Sequence, residues 1–324
     1  MKHVLVFDPK AFSNQQWKMD NILDTVGQFF RTQDKPDFSI QFSRYRRNAI
    51  TIIQDEVEKA KQGDIVRVYA IGGEEIIFDC LNAVAHFPNM QLAIVPYGEN
   101  NNFLRIFQTD KNDDKMELFR DIPNLINSDT LPTDALRWDV NYALNSCYIG
   151  MNTAIAKRMK DFKSSINKSS FYILSRMTNT INYLFTAFDK QLAARQYDIK
   201  IDDSDYSGTY SLIHVANSPY HNGKKTGSYD ATPDDGILNI ALMKSSIPLR
   251  TLPALRKYAK GKRPRNCIML QGKAITISTK NPMWIQLDDE YIQDTNVSLS
   301  AVHHAVQIVA PAGLSYPIGL ITAL

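Results

Sequence analysis

Residues 65–107 read IVRVYAIGGEEIIFDCLNAVAHFPNMQLAIVPYGENNNFLRIF. The apolar, β-branched run Ile65 to Ile71 stops at Gly72-Gly73. Ile76, Ile77, Cys80, Leu81 and Val84 then recur at helical spacing, and after Pro88 a second strand-like run, Leu92 to Val95, leads into the polar loop Pro96 to Asn102. Strand, glycine turn, helix, strand and loop are the parts of a parallel βαβ unit. Both loops leave the carboxyl ends of their strands, the edge of an open α/β sheet where ligands bind. Paired glycines let the backbone turn sharply and aim N–H groups at an anion, and the helix from Ile76 adds its N-terminal dipole. A Gly-Gly pair alone is equally an ordinary turn.

Working outward, Val4 to Phe7 reads as a first strand, followed by the turn Asp8-Pro9-Lys10-Ala11-Phe12. Met19, Ile22, Leu23, Val26, Phe29 and Phe30 make one apolar helical stripe. Phe38 to Phe42 is a second strand ending at Ser43, and Ala49, Ile50, Ile53, Val57 and Ala60 mark a second helix. From Thr109 to Asp139 the chain turns polar and carries prolines, which places a domain boundary near Pro132. Beyond it come a strand-like run, Tyr142 to Ile149, and two helical runs, Thr153 to Phe162 and Ser170 to Ala194. Short β runs follow at Tyr197–Ile201, Thr209–Ala216, Ile237–Met243, Cys267–Leu270, Ala274–Ser278 and Trp284–Leu287, with a helix inserted over Leu249–Lys260. Short strands separated by turn residues predict a β-sandwich. The expected fold is therefore α/β + β. An open parallel-sheet, Rossmann-like three-layer domain spans 1–132 and an antiparallel β-sandwich domain spans 133–309. Val302 to Val309 and a closing segment over about 310–324 suit a return to the first domain.

A chain of 324 residues has ample material for two such cores. Hydrophobic residues make up 44% and charged residues 22%, an ordinary globular composition. A net charge of +3 is too small to argue for a nucleic-acid partner. Cys80, Cys147 and Cys267 are too few and too far apart for a disulfide framework or a metal knuckle, so a cytoplasmic setting is expected. The start, MKHVLVFDP, reads as a buried strand rather than a signal peptide. The uncharged tail Ile308 to Leu324 is short for a membrane span and is broken by Pro311, Gly313, Pro317 and Gly319, so it reads as a buried closing segment. On a regularly alternating strand His303 and His304 face opposite ways, so no metal site is expected among the histidines.

The two loops resemble those of the diacylglycerol kinase catalytic-domain family, which includes sphingosine kinases and bacterial lipid kinases. Its members carry G-G-D-G-T after one strand and P-x-G-T-x-N-D-F-x-R after the next. Here these stretches read GGEEI (Gly72 to Ile76) and PYGENNNFLR (Pro96 to Arg105). The resemblance continues in TPDDGIL (Thr232 to Leu238) and QLDDEYI (Gln286 to Ile292), where relatives have DG-L and D-G-E. It implies ATP and Mg2+ as cofactors, a lipid substrate with peripheral membrane contact and no nucleic acid, and it is compatible with a homodimer.

Carried over residue by residue, the resemblance implies a nucleotide site at Ser43, Gly72, Gly73, Glu74, Gly98, Asn101, Asn102 and Arg105. Glu290 would be the general base and Asp288 its catalytic neighbour, helping Glu74 to place magnesium. Asp235, with the carbonyls of Thr232 and Ile237, would hold a structural magnesium. The departures lie at the same places. Glu74 and Asn102 replace aspartates, Glu75 replaces a glycine, Glu99 a threonine and Asp289 a glycine. At an effective dielectric of about 20, a carboxylate about 4 Å from a phosphate costs about 4 kcal/mol unless a cation lies between them. The two function classes are therefore an ATP-dependent lipid kinase and a catalytically impaired relative that binds a nucleotide or another ligand. Basic residues at Lys157, Arg158, Lys160 and Lys163, and from Arg256 to Arg265, are either a membrane-facing patch or a solvated face.

Overall fold

The computed structural model describes residues 1–33, 37–61, 63–109, 114–151, 153–158, 195–245 and 248–317. The helical run expected over Ser170 to Ala194 lies outside these residues, as do Lys160 and Lys163. Among the described residues no helix is long and apolar enough to cross a membrane.

Four strands build the first domain: β1 (Lys2–Phe7), β2 (Phe38–Phe42), β3 (Val66–Gly72) and β4 (Met90–Pro96). All neighbouring pairs are parallel, in the order β2-β1-β3-β4. β1 and β3 are buried along their whole length, so Val4–Phe7 and Val68–Ile71 are apolar at every position rather than alternating. The register aligns Phe7 with Phe42 and Ile71, and Gly72 with Pro96. Every loop that follows a strand therefore opens at one edge.

Helices α1 (Gln16–Arg31), α2 (Asn48–Glu58) and α3 (Glu74–Val84) cover the sheet. α1 buries Met19, Ile22, Val26 and Phe30, four of the residues in the stripe read from the sequence, and Phe30 stacks on Phe38 with centroids 4.2 Å apart. α2 turns Glu56 inward, where Lys2 Nζ lies 3.1 Å and Lys59 Nζ 2.9 Å from its carboxylate. α3 is apolar nearly all round because it is sandwiched. Most of it faces the first core, but Phe78 packs into the core of the second domain.

The second domain is β-rich and folds about its own apolar core. Its longer strands among the described residues include Ser146–Gly150, Arg195–Ile201, Gly208–Ala216, Leu238–Lys244, Cys267–Gly272, Ala274–Leu287 and Glu290–Val309. The helix Pro248–Tyr258 packs on its outer side through Ala254, Leu255 and Tyr258.

The expected sandwich differs in three respects. The runs Ala274–Ser278 and Trp284–Leu287 are one strand with an irregularity between Ser278 and Met283. Val302–Val309 is the end of a 20-residue strand that starts at Glu290. And the expected boundary at Pro132 falls inside a strand, Thr130–Trp138, which pairs antiparallel with that long strand. The long strand also runs parallel to β4 at Gln307 and Ile308, so its hydrogen bonds join the two domains into one continuous sheet. Beyond it, Leu314 pairs with Thr109, and Tyr316 meets the Thr133 hydroxyl at 2.6 Å.

Candidate functional site

The loops after β3 and β4 touch through their glycines. A Cβ on Gly98 would lie 2.9 Å from Gly73 Cα, and one on Gly72 would lie 2.8 Å from Asp8 Cβ and 2.9 Å from Ile76 Cγ2. Neither position has room for a side chain, so here the glycines are required by close approach. Gly73 then caps α3 without a side-chain hydrogen bond, and the first-turn N–H groups of that helix face the same edge.

Glu74 and Asn102 are bound to each other. Glu74 Oε1 accepts the Asn102 N–H at 2.9 Å, and Asn102 Oδ1 accepts the Gly223 N–H at 2.8 Å. That chain links α3, the second loop and a loop of the β-rich domain. Burial pushes Glu74 up to about 7. The Asn102 hydrogen bond opposes the shift, while the charges of Asp288 and Asp289 add to it. Asn101 is buried with φ 46°, a left-handed conformation that asparagine tolerates better than most residues. Arg105 donates to the Asn100 carbonyl at 2.7 Å, so its guanidinium braces its own loop.

Ser43 sits at the end of β2, with its N–H on the Phe7 carbonyl at 2.8 Å. It lines a small cavity of about 10 Å³ with Asp8, Lys10, Tyr45, Glu75, Ile76 and Asp79. Three carboxylates face one lysine there. Burial raises Asp8 and Asp79, and the charge of Glu75 adds to both shifts. The Arg47 N–H donates to Asp79 Oδ2 at 2.7 Å. This is the place where the resemblance puts ATP. The backbone donors suit a phosphate, but the space is roughly that of a single water. Tyr45, which is 65% exposed, and Glu75 would have to turn outward to admit a nucleotide. With Asp8, Glu75 and Asp79 beside it, such an anion would need a divalent ion as well.

Across the cleft, Asp288 and Asp289 form the tip of a hairpin in which Leu287 pairs with Glu290. Asp288 is half-buried, and its carboxylate accepts the N–H groups of Leu144, Asn145 and Ser146 at 2.9, 3.0 and 2.9 Å. Burial raises it to about 6 against those three hydrogen bonds. The carboxylate is thus committed to holding the 144–146 turn, whereas the sequence suggested help in placing magnesium. Glu290 is 5% exposed and ion-paired with Arg46, which reaches over from the loop after β2 in the first domain. Sequence reasoning missed Arg46, Arg47 and Asp79. The run Arg44-Tyr45-Arg46-Arg47, directly after a strand at the ligand edge, was the available signal.

Thr232, Asp235 and Ile237 lie on one loop of the β-rich domain. Asp235 accepts from Ile237 N–H at 2.9 Å and from the Thr232 hydroxyl at 3.1 Å. Carboxylate and carbonyl oxygens are the donor set a magnesium or calcium ion prefers, so the residues present fit a hard cation. It would be held by the Asp235 carboxylate and the carbonyls of Thr232 and Ile237, and its chemistry would be structural.

Residues 2–138 match the diacylglycerol kinase catalytic domain, and residues 145–310 match the YegS C-terminal NAD kinase beta sandwich-like domain. The chain belongs to the diacylglycerol kinase catalytic-domain family, with an N-terminal catalytic domain followed by a β-sandwich-like domain. Among its relatives is a Staphylococcus aureus (strain Mu3) protein named "Putative lipid kinase", 24% identical over 279 residues, covering 84% of this chain and 86% of that one. Two Bacillus anthracis structures share the fold. One, titled as a crystal structure of "a putative diacylglycerol kinase", has a TM-score of 0.68 at 21% identity and covers 96% of this chain and 98% of that one. A second, titled "a putative diacylglycerol kinase", has a TM-score of 0.69 at 19% identity with the same coverage.

Proposed function

We propose that this chain is an ATP-dependent lipid kinase that phosphorylates a hydroxyl of a diacylglycerol-like lipid. The observation that carries the reading is Glu290. It is a buried carboxylate at the cleft between the domains, paired with an arginine contributed from the nucleotide side. Phosphoryl transfer to an alcohol needs a carboxylate within reach of the hydroxyl proton and cationic groups near the transferring phosphate. Once Arg46 swings away, Glu290 can accept that proton, and the freed guanidinium stands where phosphate charge is neutralised. Asp288 acts as a positioning residue, fixing the turn on which the hairpin rests. ATP bound with a divalent ion would supply the phosphoryl group and the charge neutralisation. Gly72, Gly73, Gly98 and the first turn of α3 offer backbone N–H groups for it, flanked by Ser43, Asn101, Asn102 and Arg105. Asp235, Thr232 and Ile237 would hold a second, structural magnesium.

A catalytically impaired relative is the second reading. It is favoured by one observation, the cavity of about 10 Å³ lined by Asp8, Glu75 and Asp79. Phosphate transfer from γ-labelled ATP to diacylglycerol in mixed micelles with magnesium separates the two. The kinase reading expects labelled lipid from the native chain, and a loss of roughly 10²- to 10⁴-fold in Glu290→Gln. Equal label from both proteins would remove Glu290 from the base role, and no label from either would leave the second reading standing.

A further inference from the structure

Away from the nucleotide loops, the long strand Glu290–Val309 is interrupted between Val302 and Val306. His304 there has φ 52°, an uncommon backbone state for a residue that is not glycine. The expectation from simple alternation, that His303 and His304 face opposite ways, is therefore overturned. The two rings stack with centroids 3.6 Å apart and planes 28° from parallel. Both face Asp134, which is fully buried on the strand Thr130–Trp138. Asp134 Oδ1 lies 2.8 Å from His303 Nδ1 and accepts the His304 N–H at 2.8 Å. Its Oδ2 accepts the Gly236 N–H at 2.6 Å. One ligand atom from each of the three residues falls within 4.8 Å of the other two.

From this geometry we infer a binding site for a borderline divalent metal of the Zn2+ or Co2+ kind, formed by Asp134, His303 and His304. Imidazole nitrogen favours such ions over Mg2+ or Ca2+, which prefer all-oxygen sets. Ligands about 2.1 Å from one ion lie about 3.4 Å apart in a tetrahedron, so small turns of the two exposed rings close the set. Two further features point the same way. The histidines are exposed while the carboxylate is buried, which leaves an entry path and open positions for water. And a left-handed residue held by a hydrogen bond from its own N–H to the shared carboxylate is the device that puts consecutive side chains on one side, at a cost in backbone strain.

The site adjoins the loop of Thr232, Asp235 and Ile237, since the Asp134 N–H donates to the Pro233 carbonyl at 2.7 Å and Asp134 Oδ2 holds Gly236, but none of its three ligand atoms comes from that loop. A bound ion would clamp the kink of the long strand to that loop, where the two domains share their sheet. The inference does not depend on kinase activity.

The test uses the full chain without any histidine tag, stripped with chelator and titrated with Co2+ and Zn2+ in calorimetry, with Co2+ absorption read in parallel. One ion per chain and a Co2+ ligand-field band are expected. His303→Ala and His304→Ala should each weaken binding by at least about tenfold while the fold, read by circular dichroism, is unchanged. A large excess of Mg2+ should not displace the Co2+. No binding at micromolar metal to the folded native chain, equal affinity in both histidine variants, or displacement by Mg2+ would each overturn the site. Because Asp134 is buried and its replacement could disturb folding, the two exposed histidines carry the decision.

Discussion

The cleft has two walls, and they differ. The wall formed by the first domain carries the glycine turns of the proposed nucleotide site and lines it with acids: Asp8, Glu75 and Asp79 around about 10 Å³. The wall formed by the hairpin keeps its carboxylates in defined jobs, with Asp288 holding three backbone amides and Glu290 paired to Arg46. Where backbone geometry makes the site, as at Gly72 and Gly98, close packing leaves no freedom to vary. Where side chains make it, as at Glu75, the same scaffold accepts a charge that changes what can bind.

The comparison is tested most severely at Glu75. Glu75→Gln removes one charge from the acidic wall without altering the backbone. One like-charge contact is worth up to about 4 kcal/mol at an effective dielectric of about 20, so Mg-ATP should bind at least about tenfold more tightly by calorimetry. Weaker binding instead would make Glu75 a ligand for the metal on the nucleotide, and the two walls would no longer differ in kind. Gly98→Ala probes the backbone side of the contrast. Its Cβ would meet Gly73 Cα at 2.9 Å, and overpacking of this sort costs about 1–3 kcal/mol in denaturant unfolding. An unchanged midpoint would mean that the loops are not held in contact.

Smaller effects come from titration. Burial holds Glu74 at about 7 against an ordinary value of 4.5. Between those values the native state binds more protons than the unfolded one, so stability should fall as pH rises through that window. Asp288, raised from 3.8 to about 6, adds a slope of the same sign at lower pH. Glu74→Gln should flatten the upper part, seen as a smaller change in the urea midpoint between about pH 5 and pH 7.5. Glu56 works in the opposite direction. Burial alone would raise it, but the ammonium groups of Lys59 and Lys2 prevail and bring it to about 2. Its contribution is therefore present above its ordinary value of 4.5 and lost as pH falls toward 2. Glu56→Gln should destabilise the chain near neutral pH and leave it little changed in acid. Equal losses at both would mean that packing, not charge, is what Glu56 supplies.

Much of this was legible in residues 65–107, because period-2 and period-3.6 patterns separate cleanly when strands are buried and a helix is sandwiched. The strand Thr130–Trp138 was not legible, since Pro132 and Asp134 interrupt its apolar pattern and the partner that covers it lies some 170 positions away at His304. The first half of the long strand, EYIQDTNVSLSA, alternates too weakly to stand out, being half-buried against Ala274–Leu287. In the site, the glycine turn stands out after a buried strand, and Glu290 comes forward only through the family resemblance. The pairing of Glu290 with Arg46, the capture of three backbone amides by Asp288 and the stacking of His303 on His304 could not be read from the sequence. They depend on a domain-crossing contact, a turn filled by backbone amides and one left-handed residue.

Calorimetric titration of the native chain with Mg-ATP bears most directly on whether the acidic wall still serves a nucleotide. The account predicts one molecule bound per chain at sub-millimolar concentration, with binding lost when magnesium is removed because the carboxylates then face bare phosphate. Absence of heat and of any thermal shift at millimolar Mg-ATP would contradict it.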